Sequence, residues 1–277
     1  MILTLHPVVT SGRVGWPEMA DLAAKTGFAG VEVSVLKAME AGPQQTLSYL
    51  KKAGVQATAI GLPVEIRKDE ATFEKDLAKL PQAAAFAQAI GVPRMVTWVL
   101  SSSDLPKAEM RASLKKRIQR ILEIFAPHGV RLGLEFLGPL HIRKARPYEF
   151  IWRMPEMLEF SVECGKDCGL LLDSWHWHHA GATAADIVDA GRDRIIHVHL
   201  ADAPKLPAEQ IKDNERLLPG EGIVDWGGFL NSLKKIGYQH ALSPEIFGRG
   251  LKDLPVEEAA FLVHRHSRQL LAKYGIG

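Results

Sequence analysis

The sequence predicts an α/β protein folded as a single (β/α)8 TIM barrel across residues 1–277. Three observations predict it. Short apolar runs alternate with amphipathic segments from end to end, eight times over, at about 30 residues per pair. The runs are apolar at consecutive positions, as in strands buried on both faces. The length of 277 residues, with no compositional shift marking a linker, suits one barrel of about 250 residues better than two folds. A doubly wound open sheet is the competing architecture. It starts with a Gly-rich turn after its first strand, and LHPVVTSGRVGW lacks the G-x-G-x-x-G spacing.

Each element has a local reason. ILTLH (2–6) is the first strand. A helix starts at Pro17, whose fixed φ suits a first turn, and stops at Gly27. VEVS (31–34) is the second strand, and PQQTLSYLKKAG (43–54) is a helix ended by Gly54. VQATAI (55–60) is the third strand. One long helix is expected over 70–90, with Thr72 as its cap and Gly91 as its stop. PRMVTWV (93–99) follows as a strand, then a helix capped by Ser103 or Asp104 and running to His128.

The second half repeats the rhythm. VRLGLEF (130–136) is strand five, with a helix inside 147–165. GLLLDSW (169–175) is strand six, with a short helix near 183–190. RIIHVHLA (194–201) is strand seven. Asp225 caps a helix over WGGFLNSLKKIG. HALSPEIF (240–247) is strand eight, and residues 256–275 close the chain as a helix. The longest strand-to-helix connection, 202–219, reads as a functional lid.

Composition narrows the function classes. At 47% hydrophobic and 24% charged, the chain is ordinary globular protein. The net charge is +2 and the basic residues are scattered; KKRIQR (115–120) reads as a solvated helix face, not a nucleic-acid footprint. No run approaches the roughly 18 apolar residues of a membrane span, and MILTLHP lacks the basic start of a signal peptide. Cys164 and Cys168 read as unpaired thiols, which places the protein in a reducing cytoplasm.

Chemistry concentrates at strand ends. Glu135 in LGLEF, Asp173 in GLLLD, His199 in IIHVHL and Glu245 in ALSPEI end four successive buried runs. A charge there is costly unless the strand opens into a site, and in this fold the site lies at the C-terminal strand ends. Three facing carboxylates repel one another unless a cation sits among them. Three oxygens and one imidazole suit a borderline-hard divalent metal.

Around these lie supporting candidates. His176 is expected to hold a substrate hydroxyl or a metal ligand, and Trp175 and Trp177 offer either a sugar-facing wall or barrel packing. His178 and His179 are expected at the surface. His197 is expected a layer below His199 as its support, and Asp202 to orient His199 or nearby loop groups. Arg216 is expected to clamp a carboxylate, phosphate or hydroxyl, and Gly220 and Gly222 to let backbone approach a ligand. His6, Glu32, Glu65 and Trp98, at earlier strand ends, are substrate-contact candidates.

The motifs LGLEF, LLLDSWH, HVHLAD, PGEGIVDW and SPEIFG resemble the xylose isomerase-like TIM-barrel superfamily, on the branch of sugar isomerases, ketose 3-epimerases, hydroxypyruvate isomerases and inosose dehydratases. Strand order matches over essentially the whole chain, while the specific motifs lie within 130–250. The resemblance implies one divalent ion, Mn2+, Mg2+ or Co2+ with Zn2+ as a further option, on Glu135, Asp173, His199 and Glu245. It implies that Glu135 and Glu245 shuttle a proton, that His176 and Arg216 bind substrate, and that a homodimer or homotetramer forms. The expected activity is sugar isomerase or epimerase chemistry through a metal-stabilised enediolate, on a small sugar or polyol. An inosose-type dehydratase on the same metal site is the main alternative; an AP-endonuclease-like hydrolase and a non-catalytic sugar-binding barrel rank below it. TWVLSSS and DNERLL lack the extra histidines of the trinuclear nuclease branch.

Overall fold

The computed structural model describes all 277 residues, with eight parallel strands closed into a barrel in strict chain order. The strands are β1 (Ile2–Leu5), β2 (Gly30–Val33), β3 (Gln56–Gly61), β4 (Arg94–Val99), β5 (Arg131–Phe136), β6 (Cys168–Asp173), β7 (Ile195–Leu200) and β8 (Ala241–Pro244). Closure comes from β1 against β8, with Ile2 beside Ala241 and Leu3 beside Leu242. Every residue of β6 and β7 is buried, which is why these runs are apolar throughout.

The helices are α1 (Glu18–Thr26), α2 (Val35–Ala41), α3 (Pro43–Ala53), α4 (Glu70–Leu77), α5 (Leu80–Ala89), α6 (Lys107–Phe125), α7 (Leu140–Arg143), α8 (Met154–Cys164), α9 (Ser174–His179), α10 (Ala184–Ala190), α11 (Trp226–Lys235) and α12 (Val256–Lys273). None is long and apolar enough to cross a membrane. The basic face of α6 is spent on ion pairs with neighbouring helices: Arg117 with Glu70, Arg120 with Glu74, Arg111 with Glu163.

Several boundaries differ from the sequence expectation, each for a local reason. The helix expected over 70–90 is two helices, α4 and α5. Pro81, in the first turn of α5, has no N–H to donate back into a continuous helix. Asp69, not Thr72, caps α4, its carboxylate accepting from Thr72 N at 2.9 Å. Neither Ser103 nor Asp104 caps α6, which starts after Pro106. Helix α2 was not anticipated. Strand six ends at Asp173, two residues early, because that carboxylate turns the chain into α9. The Asp225 cap is present, accepting from Gly228 N at 2.9 Å. A two-residue ribbon, Ser102–Ser103 against Tyr148–Glu149, ties the loop after β4 to the loop after β5.

The strand register positions the site. Asp173 pairs with His199, His199 with Ser243, and Trp98 with Glu135. Residues paired in a parallel register point to the same face, so the C-terminal ends of β4–β8 present one ring of side chains. The 202–219 connection is stapled at its base. Asp202 and Leu217 form an isolated bridge, and the Asp202 carboxylate accepts from Ala203 N, Gly220 N, Val224 N and the Trp226 indole at 2.8–3.0 Å.

Candidate metal centre and its cavity

Glu135, Asp173, His199 and Glu245 each present a ligand atom, and these atoms all lie within 4.8 Å of one another. His199 Nδ1 is 3.5 Å from Glu245 Oε2 and 3.8 Å from Glu135 Oε1. Buried polar atoms are normally paired, yet Glu135 Oε1 and His199 Nδ1 have no hydrogen-bond partner. Both face the cluster. Unpaired oxygen and imidazole lone pairs, converging with two further carboxylates, are the donor set a divalent cation takes.

The electrostatics show the same crowding. Burial lifts the Glu135 carboxyl well above its ordinary range, and the Glu245 and Asp173 charges add to the rise. Burial also raises Asp173, against the pull of Arg216. Glu245 goes the other way: burial opposes it, but His199 and Arg216 hold it below the usual carboxylate range. His199 is raised well above the usual imidazole range, since Glu245 and Glu32 outweigh its burial.

Glu32 crosses from β2 to support β7. Its Oε1 accepts from His197 Nε2 at 2.9 Å and from His199 Nε2 at 3.1 Å. That keeps a hydrogen on His199 Nε2 and turns Nδ1 toward the acids. Glu32 is buried at 5% exposure behind His199, and with His6 it also lines a second cavity at the ends of β1–β3. His197 lies fully buried beneath His199. His6 caps a short helical turn by accepting from Val8 N at Nδ1, and its Nε2 stands 3.5 Å from both Glu32 Oε2 and Glu245 Oε1. Two other acid–imidazole groupings share His199, but Glu32 Oε1 already holds the hydrogens of one of them.

Arg216, in the long loop, is 2% exposed and spans the acids. Its Nη1 donates to Asp173 Oδ2 and Glu245 Oε2, both at 2.9 Å; its Nη2 donates to Asp213 Oδ1 at 3.0 Å and lies 3.2 Å from His176 Nε2. The arginine expected to clamp a ligand group clamps the protein's own carboxylates and also lines the cavity beside them. Asp202 organises its loop and makes no bond to His199. Gly220 takes a positive φ of 89°, and a Cβ on Gly222 would collide with the Ala203 carbonyl and the Asp202 carboxylate. Both glycines thus serve the fold of this turn rather than ligand approach.

Beside the acids opens a cavity of about 340 Å3 lined by Glu135, His176, Asp213, Arg216, Glu245 and an apolar wall of Trp98, Leu100, Leu137, Ile142 and Phe247. Trp98 is 39% exposed and stacked under the Arg67 guanidinium, 3.7 Å from its ring centre. Glu65 does not line this cavity. It binds Arg67 at 2.8 Å, so it acts on Trp98 at one remove. Trp175 and Trp177 are buried packing residues, Trp177 against Phe229. His178 and His179 are half-buried, not surface groups; the His179 ring meets Trp175 edge-on at 4.4 Å. Asp213, Arg67, Leu137, Ile142 and Phe247 went unnoticed in the sequence, where loop residues carry no periodic signal.

The family description for xylose isomerase-like TIM barrels matches residues 20–270. The chain belongs to that family. An inosose isomerase from Halalkalibacterium halodurans is 28% identical over 69% of this chain and 66% of its own length. A 3-dehydroshikimate dehydratase from Pseudomonas putida is 26% identical over 88% of this chain and 38% of its own. A probable ketose 3-epimerase from Synechocystis is 25% identical over 92% and 86%. Among solved structures, a xylose isomerase domain protein from Alicyclobacillus acidocaldarius superposes with a TM-score of 0.88 at 27% identity, covering 98% of both chains. The IOLI protein with a bound zinc atom gives 0.84 at 22% identity over 99% of both, a likeness of fold.

Proposed function

We propose that this protein is a divalent-metal-dependent isomerase or epimerase of a small hydroxy-ketone. The observation that carries the proposal is the convergence of four ligand-type side chains, two of them glutamates that also line the apolar-walled cavity. The same site supports loss of water when a hydroxyl lies one carbon away, as a dehydratase among the relatives suggests.

Glu135, Asp173, His199 through Nδ1, and Glu245 would hold one ion, whose contribution when bound is to polarise a substrate carbonyl as a Lewis acid. The rest belongs to the chain. The wall of Trp98, Leu100, Leu137, Ile142 and Phe247 seats the carbon skeleton and excludes water. His176 and Asp213 face the same cavity and can hold hydroxyls. One glutamate removes the proton from the carbon next to the carbonyl and the other returns one. Return to the neighbouring carbon isomerises, and return to the opposite face epimerises. Arg216 keeps Glu245 and Asp173 from drifting as their charges change.

The experiment combines metal content with solvent-deuterium incorporation into a panel of ketoses and inososes. Glu245→Gln should abolish exchange at the substrate carbon while the fold persists. Full exchange in that variant removes Glu245 from proton transfer, and no exchange in the metal-loaded wild type leaves only a binding barrel.

A further inference from the structure

We propose that the cavity selects uncharged polyhydroxy ketones and rejects carboxylated or phosphorylated ones. The proposal rests on the functional reading above and narrows its substrate class. Five carboxylates stand in or directly behind the site: Glu32, Glu135, Asp173, Asp213 and Glu245. One guanidinium, Arg216, is the only arginine or lysine in the cavity lining. Even with one divalent ion added, the carboxylates outnumber the cations.

Arg216 is committed mainly to the protein's own acids. Its Nε donates to the Asp213 carbonyl at 3.2 Å. Nη1 serves Asp173 and Glu245, and Nη2 serves Asp213 and faces His176. Four of its five N–H groups meet protein oxygens; His176 Nδ1 accepts from Gly138 N, so its Nε2 carries the ring hydrogen and does not accept the fifth. Arg67 is stacked on the Trp98 ring and does not line the cavity. It is bound to Thr97 Oγ1, the Trp98 carbonyl and Glu65 at 2.8–3.1 Å. Lys68 has no ion-pair partner, but it is exposed and lines, with Arg67, Arg117 and Arg146, a neighbouring groove that shares Leu100 with the cavity.

A carboxylate or phosphate in this cavity would therefore lose its water against an apolar wall and face a surplus of like charge. A ring or chain of CHOH units meets neither cost. Its C–H face suits Trp98 and Phe247, and its hydroxyls suit His176 and Asp213. Among the relatives this separates the inosose isomerases, whose substrate is uncharged, from the 3-dehydroshikimate dehydratases, whose substrate bears a carboxylate.

The test is calorimetric binding to the metal-loaded full chain, with deuterium exchange followed in parallel. The ligands are an inosose and D-psicose against 3-dehydroshikimate and D-psicose 6-phosphate. Each charged ligand should bind at least about 100-fold more weakly than its uncharged counterpart. A charged ligand that binds as well as, or better than, its counterpart overturns the proposal. So does tight phosphate binding that Lys68→Ala abolishes, which would seat the anion in the neighbouring groove. Tight binding of a charged ligand with exchange sinks the charge rule and leaves the proton-transfer reading standing. Selective binding of uncharged ligands without exchange does the reverse, and binding of none overturns both.

Discussion

Replacing Glu32 by glutamine keeps the side-chain shape and removes the charge behind the proposed metal ligand His199. In the wild type, Glu32 Oε1 accepts two imidazole N–H bonds, at 2.9 and 3.1 Å, in a setting only 5% exposed. A hydrogen bond to a charged acceptor is worth about 1.5–3 kcal/mol, against about 0.5–1.5 for a neutral one. Losing the charge therefore costs about 1 kcal/mol per bond. Only the His199 bond lies behind the ligand, so the affinity cost is about 1 kcal/mol, or roughly fivefold in an equilibrium constant. That falls just below the 10–100-fold typical when a carboxylate behind a metal-bound imidazole is changed. Glu32→Gln should thus weaken Mn2+ or Zn2+ binding about fivefold, measured by calorimetric titration, with urea unfolding as the check on fold. Glu32→Leu should weaken it further and no longer keep a hydrogen on His199 Nε2, read by long-range 1H–15N NMR. Wild-type affinity in Glu32→Gln, with the fold intact, would refute the reasoning.

Other outcomes follow from the same geometry. Arg216→Met leaves the buried acids Asp173 and Glu245 without their partner, so the metal-free protein should lose about 3–5 kcal/mol in urea unfolding, with part of the loss recovered by saturating divalent ion. His199 holds its proton to an unusually high pH because Glu245 and Glu32 outweigh its burial. An ion at Nδ1 must expel that proton, so divalent affinity should rise with pH through neutrality, with proton release visible as a buffer-dependent binding enthalpy. Asp202→Ala strands four donors, should cost at least about 2 kcal/mol, and should expose the 203–219 segment to limited proteolysis. Trp98→Ala should raise KM roughly tenfold for any exchanging substrate while leaving kcat within about threefold, as expected for lost uniform binding.

The barrel was legible because a strand buried on both faces leaves a continuous apolar run; all eight runs were found, seven of them within two residues of their limits and the eighth, which ends at Pro244, expected three residues too long. The gathering of Glu135, Asp173, His199 and Glu245 was legible for the same reason: an acid or imidazole ending such a run has few places to point. What lay beyond was set by long-range contact. Nothing in VEVS tells that Glu32 reaches across to two histidines of β7. Nothing in DNERLL tells that Arg216 turns inward onto its own protein's acids. Helix α2 was hidden because seven residues carry too little periodicity to stand out, and α9 because SWHWHH reads equally well as the tail of a strand.

Asp173 is divided between two duties. Its Oδ1 starts α9 by accepting from Trp175 N at 2.6 Å and His176 N at 3.3 Å, while Oδ2 faces Arg216. The carboxylate and the His176 imidazole are therefore yoked by one helical turn, and neither can shift without the other. A barrel built this way has little freedom to retune its reaction from the β6 side. Divergence in what it accepts then falls to the β4 side, where Trp98 near the strand end and Leu100 at the start of its loop line the same cavity.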